Sequence, residues 1–206
     1  MRPIRLPLVM VAAAAVALAC SDGATPTAPP VVKPPGQLTI LPLAAGHLPL
    51  YADSVRFWAV KGQNREGSVY FQDGSGGRGE RYAQLQVEAE ALLQRPDGTV
   101  FGPGDSVLIT LKAVDPDSIY FEFRPAGLKF DPAHPAQLSI EYGEAGNDLN
   151  EDGIVNQQDT VIQKSLAIWR QPNPGDDFVQ LQSVNFEDAR EIEADVTGFS
   201  RYAIAY

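Results

Sequence analysis

From Gln37 onward the apolar residues come in short alternating runs closed by Gly, Pro, Asn and Asp. A period of two buries one face of an extended strand and leaves the other wet. Over 54–60 it sets Val55, Phe57 and Ala59 against Arg56 and Trp58. Residues 62–67 read as a turn, and 68–72 as the strand that returns beside 54–60 in a hairpin. Further strands are predicted over 82–87, less cleanly 89–94, then 107–114, 119–123, 137–142, 166–169, 178–181, 191–196 and 201–205. Arg95-Pro96-Asp97-Gly98 has Pro and Gly where a tight turn needs them. The Gly-rich run 73–79 reads as a link between strands, because no helix follows it to complete a phosphate cradle. The expected fold is all-β, an antiparallel β-sandwich over 37–206. One short helical stretch is predicted at 159–166, with Val161, Ile162 and Leu166 on one face.

The amino terminus breaks this pattern. Arg2 and Arg5 precede an apolar run of about fourteen residues, 6–19, which falls short of the roughly 20 that a spanning helix needs. Residues 1–19 therefore read as a cleaved export leader. The single cysteine, Cys20, stands at the cleavage point after Ala17-Leu18-Ala19. This arrangement resembles the signal of bacterial lipoproteins, although the commoner pattern has Leu where Ala17 stands. The resemblance implies lipidation of Cys20 and a membrane partner reached through that anchor. Ser21 occupies the position where Asp retains such proteins at the inner membrane, so it also implies the outer membrane, facing periplasm or exterior. Residues 20–36 carry Pro26, Pro29, Pro30, Pro34 and Pro35 and read as an extended tether. At ~3 Å per residue it reaches roughly 50 Å.

Charge narrows the partners. The chain has 16 basic and 26 acidic residues; without Arg2 and Arg5 the fourteen remaining cations give a balance of −12. That sign disfavours nucleic acid and suits cations. One cysteine leaves no disulfide to staple an exported fold, a task a bound ion could share.

The candidate ion site is Asp148-Leu149-Asn150-Glu151-Asp152-Gly153-Ile154-Val155-Asn156-Gln157-Gln158-Asp159. Calcium takes six to eight hard oxygens, and a twelve-residue loop presents them from positions one, three, five, seven, nine and twelve. Those positions hold Asp148, Asn150, Asp152, the Ile154 backbone carbonyl, Asn156 and Asp159, with Gly153 at the sharp turn of position six. Val155, at position eight, is expected to point inward. Asp159 replaces the longer Glu of the general motif, which predicts a dissociation constant nearer 10⁻⁴ than 10⁻⁷ M, about the extracellular range. The loop resembles the calcium loop of dockerins, which pair two copies to bind cohesins; a single copy is found in this chain. Gly143 and Gly146 oppose a helix on the entering side, so 143–165 reads as an insertion building half an EF-hand, with Glu144 and Glu151 adding negative potential nearby. The plainer alternative is an Asx-rich surface turn.

Two other motifs bear on function. Gly104-Asp105-Ser106-Val107 resembles the nucleophile motif of GDSL hydrolases, but the late Asp-x-x-His element is missing, and His47 and His134 lie beside turn prolines. Ser106 reads more simply as the start of a strand. Glu191, Glu193 and Asp195 alternate on one side of a strand and read as a solvated face.

The phrase Phe123-Arg124-Pro125-Ala126-Gly127-Leu128-Lys129-Phe130, followed by Pro132, Pro135 and a strand ending in Tyr142, resembles the centre of the ZU-five domain. Residues 87–92, 166–169 and Gly198-Phe199-Ser200-Arg201-Tyr202-Ala203 agree with that family in order, so the likeness covers about 82–206 and implies a β-sandwich module. Some members cut themselves at His-Phe-Ser; Gly198 holds the His position, which implies no cleavage and leaves Phe199 as a core anchor beside Tyr202 and Ile204. Together these features predict a non-enzymatic envelope lipoprotein that binds one structural calcium ion. The alternatives are a protein- or glycan-binding adhesion module, favoured if Trp58 or Trp169 is exposed, and a Ser106-dependent hydrolase.

Overall fold

The computed structural model describes residues 29–206, so the leader, Cys20 and the first half of the proline-rich segment lie outside the described residues. The alternating runs form strands, all paired antiparallel. In chain order they are β1 (Val32–Lys33), β2 (Ser54–Val60), β3 (Arg65–Gln72), β4 (Arg78–Val87), β5 (Leu92–Gln94), β6 (Ser106–Ala113) and β7 (Tyr120–Arg124). They continue with β8 (Lys129–Phe130), β9 (Ala136–Glu141), β10 (Ala167–Gln171), β11 (Phe178–Gln180), β12 (Ser183–Phe186), β13 (Glu191–Val196) and β14 (Arg201–Ala205), with α1 (Gln157–Ser165) before β10. One sheet runs β1-β11-β10-β14-β7-β6-β2, a second β12-β13-β9-β4-β3, and β5 pairs with β8 in a small ribbon.

The period of two explains why the two large sheets stack. Ala59, Ile109, Leu111, Phe121 and Phe123 are buried on the inner face of the first, and Phe71, Tyr82, Leu85, Leu138 and Ile140 on that of the second. Tyr82 joins the layers, its ring 4.5 Å from Phe71 and 4.8 Å from Phe121. Offset and tilted ring pairs at this spacing contribute beyond their buried area.

The hairpin expected between 54–60 and 68–72 does not form. β2 pairs with β6 over seven residues, whereas β3 pairs with β4 in the other sheet. Alternation tells which side of a strand is buried but is silent about its neighbour, and here the 61–64 turn carries the chain from one layer to the other. Gly67 marks the crossing: a Cβ there would lie 2.3 Å from Cδ1 of Phe57, so only glycine lets that ring lie flat on β3.

The proline-rich segment is not all tether. Val32 and Lys33 pair with Val179 and Phe178, and the Lys33 ammonium stands 5.2 Å above the Trp169 ring. Leu38 and Ile40 then pack on Trp169, Phe178, Ala203 and Ala205, and Leu41 and Leu43 enter the main core. The cause is on the sheet: Trp169 faces outward, and this strap is what buries it.

Two smaller differences concern β12 and β5. β12 is a strand of four residues with only Val184 and Phe186 as large apolar side chains, too polar to stand out. Residues 89–94 do not extend β4 but leave it to make the β5–β8 ribbon.

Candidate metal centre

The loop 148–159 and α1 connect β9 to β10, the insertion point expected from the sequence. A short 3₁₀ turn, Gly143–Ala145, precedes it, and only the leaving side is helical. The helix starts at Gln157, two residues earlier than expected, because Asn156 and Asp159 form a reciprocal capping box. Such a box satisfies two of the amides that a helix start leaves without partners.

The five side chains at the expected ligand positions, Asp148, Asn150, Asp152, Asn156 and Asp159, each close onto nearby backbone. Asp148 accepts from the amides of Asp152 at 3.2 Å and Gly153 at 2.8 Å, Asn150 from Asp152 at 3.2 Å, and Asp152 from Ile154 at 2.9 Å. Gly153 has φ +85°, the left-handed conformation expected at position six. Asn156 Oδ1 accepts from Gln158 at 2.7 Å. The Asp159 carboxylate, only 4% exposed, takes the Leu149 amide at 2.7 Å and the Asn156 amide at 2.8 Å. Hydrogen bonds from Asn156 foremost, then Leu149 and Asn150, hold its carboxyl below the ordinary aspartate range against the opposing cost of burial.

The donor set suits a hard divalent cation: three carboxylates, two amide oxygens and one carbonyl, with lone pairs beyond those used in the turns. The side-chain amides of Asn150 and Asn156 donate to Asp152 Oδ2 and the Ile154 carbonyl, both at 3.0 Å, so these oxygens already face partial positive charge. Asp148, Asn150 and Asp152 gather at one end, and Asp159 with Asn156 at the other. Among the described residues no three Asp, Glu, His or Cys side chains form a converged cluster.

Several expectations about the surroundings need correction. Val155 does not point inward: it is 65% exposed, as is Ile154, and the apolar anchor of the loop is Leu149, 3% exposed. Val161 is likewise exposed, leaving Ile162 and Leu166 as the buried face of α1, because the helix packs on its core through a single narrow stripe. Glu144 has a structural task as well: its carboxylate accepts the Leu48 amide at 2.9 Å and ties the insertion to the segment that follows the strap.

Sequence reasoning missed the scaffold behind the loop. Arg190 donates to Asn147 at 2.9 Å and to the Gly146 carbonyl, and its guanidinium lies 5.3 Å over the Tyr142 ring. Tyr142 donates to Asn185 at 3.0 Å, and Asn185 donates to the Gln163 carbonyl in α1 at 2.7 Å. A cavity of about 250 Å³ between Leu149, Asp159, Gln163 and Arg190 separates loop from scaffold. No local pattern could signal these partners, since they lie up to 44 residues from the groups they hold.

The other candidates fall elsewhere. Ser106 opens β6 opposite Val60; His47 bonds the Leu48 carbonyl at 2.9 Å and faces Asp117, and His134 closes a turn onto Asp131. Glu191, Glu193 and Asp195 share an outer face, but not one merely bathed in water. Arg81 bridges Glu191 at 2.6 Å and Glu141 at 2.9 Å, while Glu193 accepts from Ser139 and Gln137 at 3.1 and 3.2 Å. Burial raises the Glu141 carboxyl despite Arg81. Comparison of the chain with family models, with curated proteins and with solved structures gives no match.

Proposed function

We propose that this protein is a non-enzymatic lipoprotein of the cell envelope, anchored through Cys20, whose β-sandwich holds one structural calcium ion in the loop 148–159. The observation that carries this reading is Asp159: a nearly buried carboxylate that ties the second and ninth positions of an all-oxygen loop together at its mouth. Asp148, Asn150, Asp152, the Ile154 carbonyl, Asn156 and Asp159 would hold the ion. Bound there, it would offset two of the three like charges and fix the insertion against the strap and the Arg190 scaffold. Titration calorimetry of the protein with calcium, beside the Asp148→Ala, Asp152→Ala double variant, tests it: one-site heat that the variant abolishes is expected.

The ZU-five likeness belongs to the same proposal. Two of its separated pieces touch, with Phe199 donating to the Leu128 carbonyl at 2.9 Å and the Phe130 and Phe199 rings packed edge to face at 5.1 Å. Gly198 lies against the same carbonyl, where a Cβ would approach to 3.1 Å. Ser200 accepts from Arg170 at 2.9 Å. A chain of undiminished mass after long storage is the expected behaviour.

The adhesion reading draws on one observation, the 58% exposure of Trp58; Trp169, at 2%, offers it nothing.

A further inference from the structure

Strand register sorts the charges of this molecule by sheet. In β2, β6 and β7 the buried residues alternate with Arg56 beside Thr110 beside Arg124, with Trp58 beside Leu108, and with Lys112 beside Glu122. Arg201 continues the Glu122 row in β14, and Lys33 lies on the same outer face over Trp169. Five cations thus stand against two carboxylates: Glu122, which Arg124 and Arg201 share at 3.0 and 3.4 Å, and Asp53, just before β2 and 3.7 Å from Lys112. The outer face of the five-stranded sheet has the opposite sign, with Glu66, Glu141, Glu191, Glu193 and Asp195 outnumbering Arg78 and Arg81. The formal charge of the chain is −10, so a cationic face is not what composition alone provides. At the β2 edge of this cationic face Trp58 and Leu108 are exposed side by side.

We propose that the exposed part of this outer face, on β2, β6 and β7 beside the strap, is the surface on which the protein lies against an anionic lipid bilayer. The orientation rests on the lipid-anchor reading of Cys20. The chain enters this same sheet at its edge strand β1, only eleven residues (21–31) after Cys20. Those residues reach at most about 40 Å, so the face is held at high local concentration beside the membrane. Phosphate headgroups complement Arg56, Lys112 and Arg124, and the attraction acts within a Debye length of roughly 8–10 Å, a distance the tether lets the face explore. An indole beside a leucine suits the headgroup boundary, where an amphipathic ring sits with one edge wet. The acidic sheet is turned to solvent by the same field.

Trp58 is its own reporter, because the only other tryptophan, Trp169, is buried. The full chain is mixed with vesicles of phosphatidylcholine, or of three parts phosphatidylcholine to one part phosphatidylglycerol, each containing brominated lipid. Quenching and a blue shift of Trp58 in the anionic vesicles are expected, weakening with salt and absent in Trp58→Phe. Neutralising the exposed pair Arg56→Gln, Arg124→Gln should weaken the response by about tenfold or more. An unquenched Trp58 in anionic vesicles overturns the proposal. So does an equal shift with soluble polyphosphate and no quenching by lipid, which would assign the face to a polyanionic chain. Retention on neutral vesicles reads the anchor separately: a chain that fails to stay on them contradicts the Cys20 reading, while Trp58 quenching in anionic vesicles still decides the face.

Discussion

Asp159 accepts the backbone amide of Leu149, ten residues earlier, at 2.7 Å, and so closes the loop across its own mouth. The same carboxylate caps α1 through Asn156. One side chain therefore sets both the loop and the helix start, before any ion is considered. Asp159→Ala should lower the melting temperature in calcium-free buffer and open the Leu149 amide to hydrogen exchange, whereas Asp152→Ala, at an exposed position, should do neither.

The apolar anchor of the loop is Leu149 and not Val155. Leu149→Ala removes a buried side chain and should cost about 2–4 kcal/mol in denaturant unfolding. Val155→Ser, at an exposed position, should stay within about 0.5 kcal/mol. Equal losses in the two variants would contradict this packing.

Acid should spare the loop longer than an ordinary aspartate would allow. Because hydrogen bonds lower the Asp159 carboxyl in the folded state, its contribution is present above the unfolded aspartate value and is lost only as pH falls through the lowered folded value. A carboxyl-carbon NMR titration should place Asp159 below the free aspartates of the chain, and capping of α1 should persist into that lower range. A normal titration midpoint would refute the assigned bonds.

The strap is structural. Leu41 is fully buried and its amide donates to the Ile204 carbonyl at 2.9 Å, so Leu41→Ala should cost about 2–5 kcal/mol, as expected of a core residue and not of a linker. Gly67→Ala tests the crossing between sheets: a Cβ at 2.3 Å from the Phe57 ring must displace it, at about 1–3 kcal/mol. A neutral Gly67→Ala would mean that β2 and β3 do not stack as described.

The sequence is enough to locate β2, β13 and β14 to the residue: β2 and β13 by a period of two between turn residues, β14 by an apolar run, buried on both faces, that follows a turn. It fails at pairing. Val60 and Gln63 make only an isolated bridge, and the true partner of β2 lies some fifty residues on, a choice made by burial of Ala59 and Ile109 that no local pattern encodes. It fails again where a strand is short and polar, as in β12, and where proline suggested a tether although Trp169 needed a cover. The loop was legible because its oxygens are spaced by the chain itself. Leu149 and Arg190 were not, because what they touch is decided by the packing of β9, β12 and β13 behind it.

The most direct test of the central claim is a calcium titration of the folded protein followed by calorimetry and by melting temperature. One-site binding with a dissociation constant near 10⁻⁴ M is expected, about the range for extracellular loops. At ten times that concentration the ion should stabilise the fold by about 1.4 kcal/mol, raising the melting temperature by about 3–6 °C. Asp148→Ala, Asp152→Ala should remove both effects. No heat up to several millimolar, with an unchanged melt, would contradict the metal site and leave 148–159 as a turn closed by its own carboxylates.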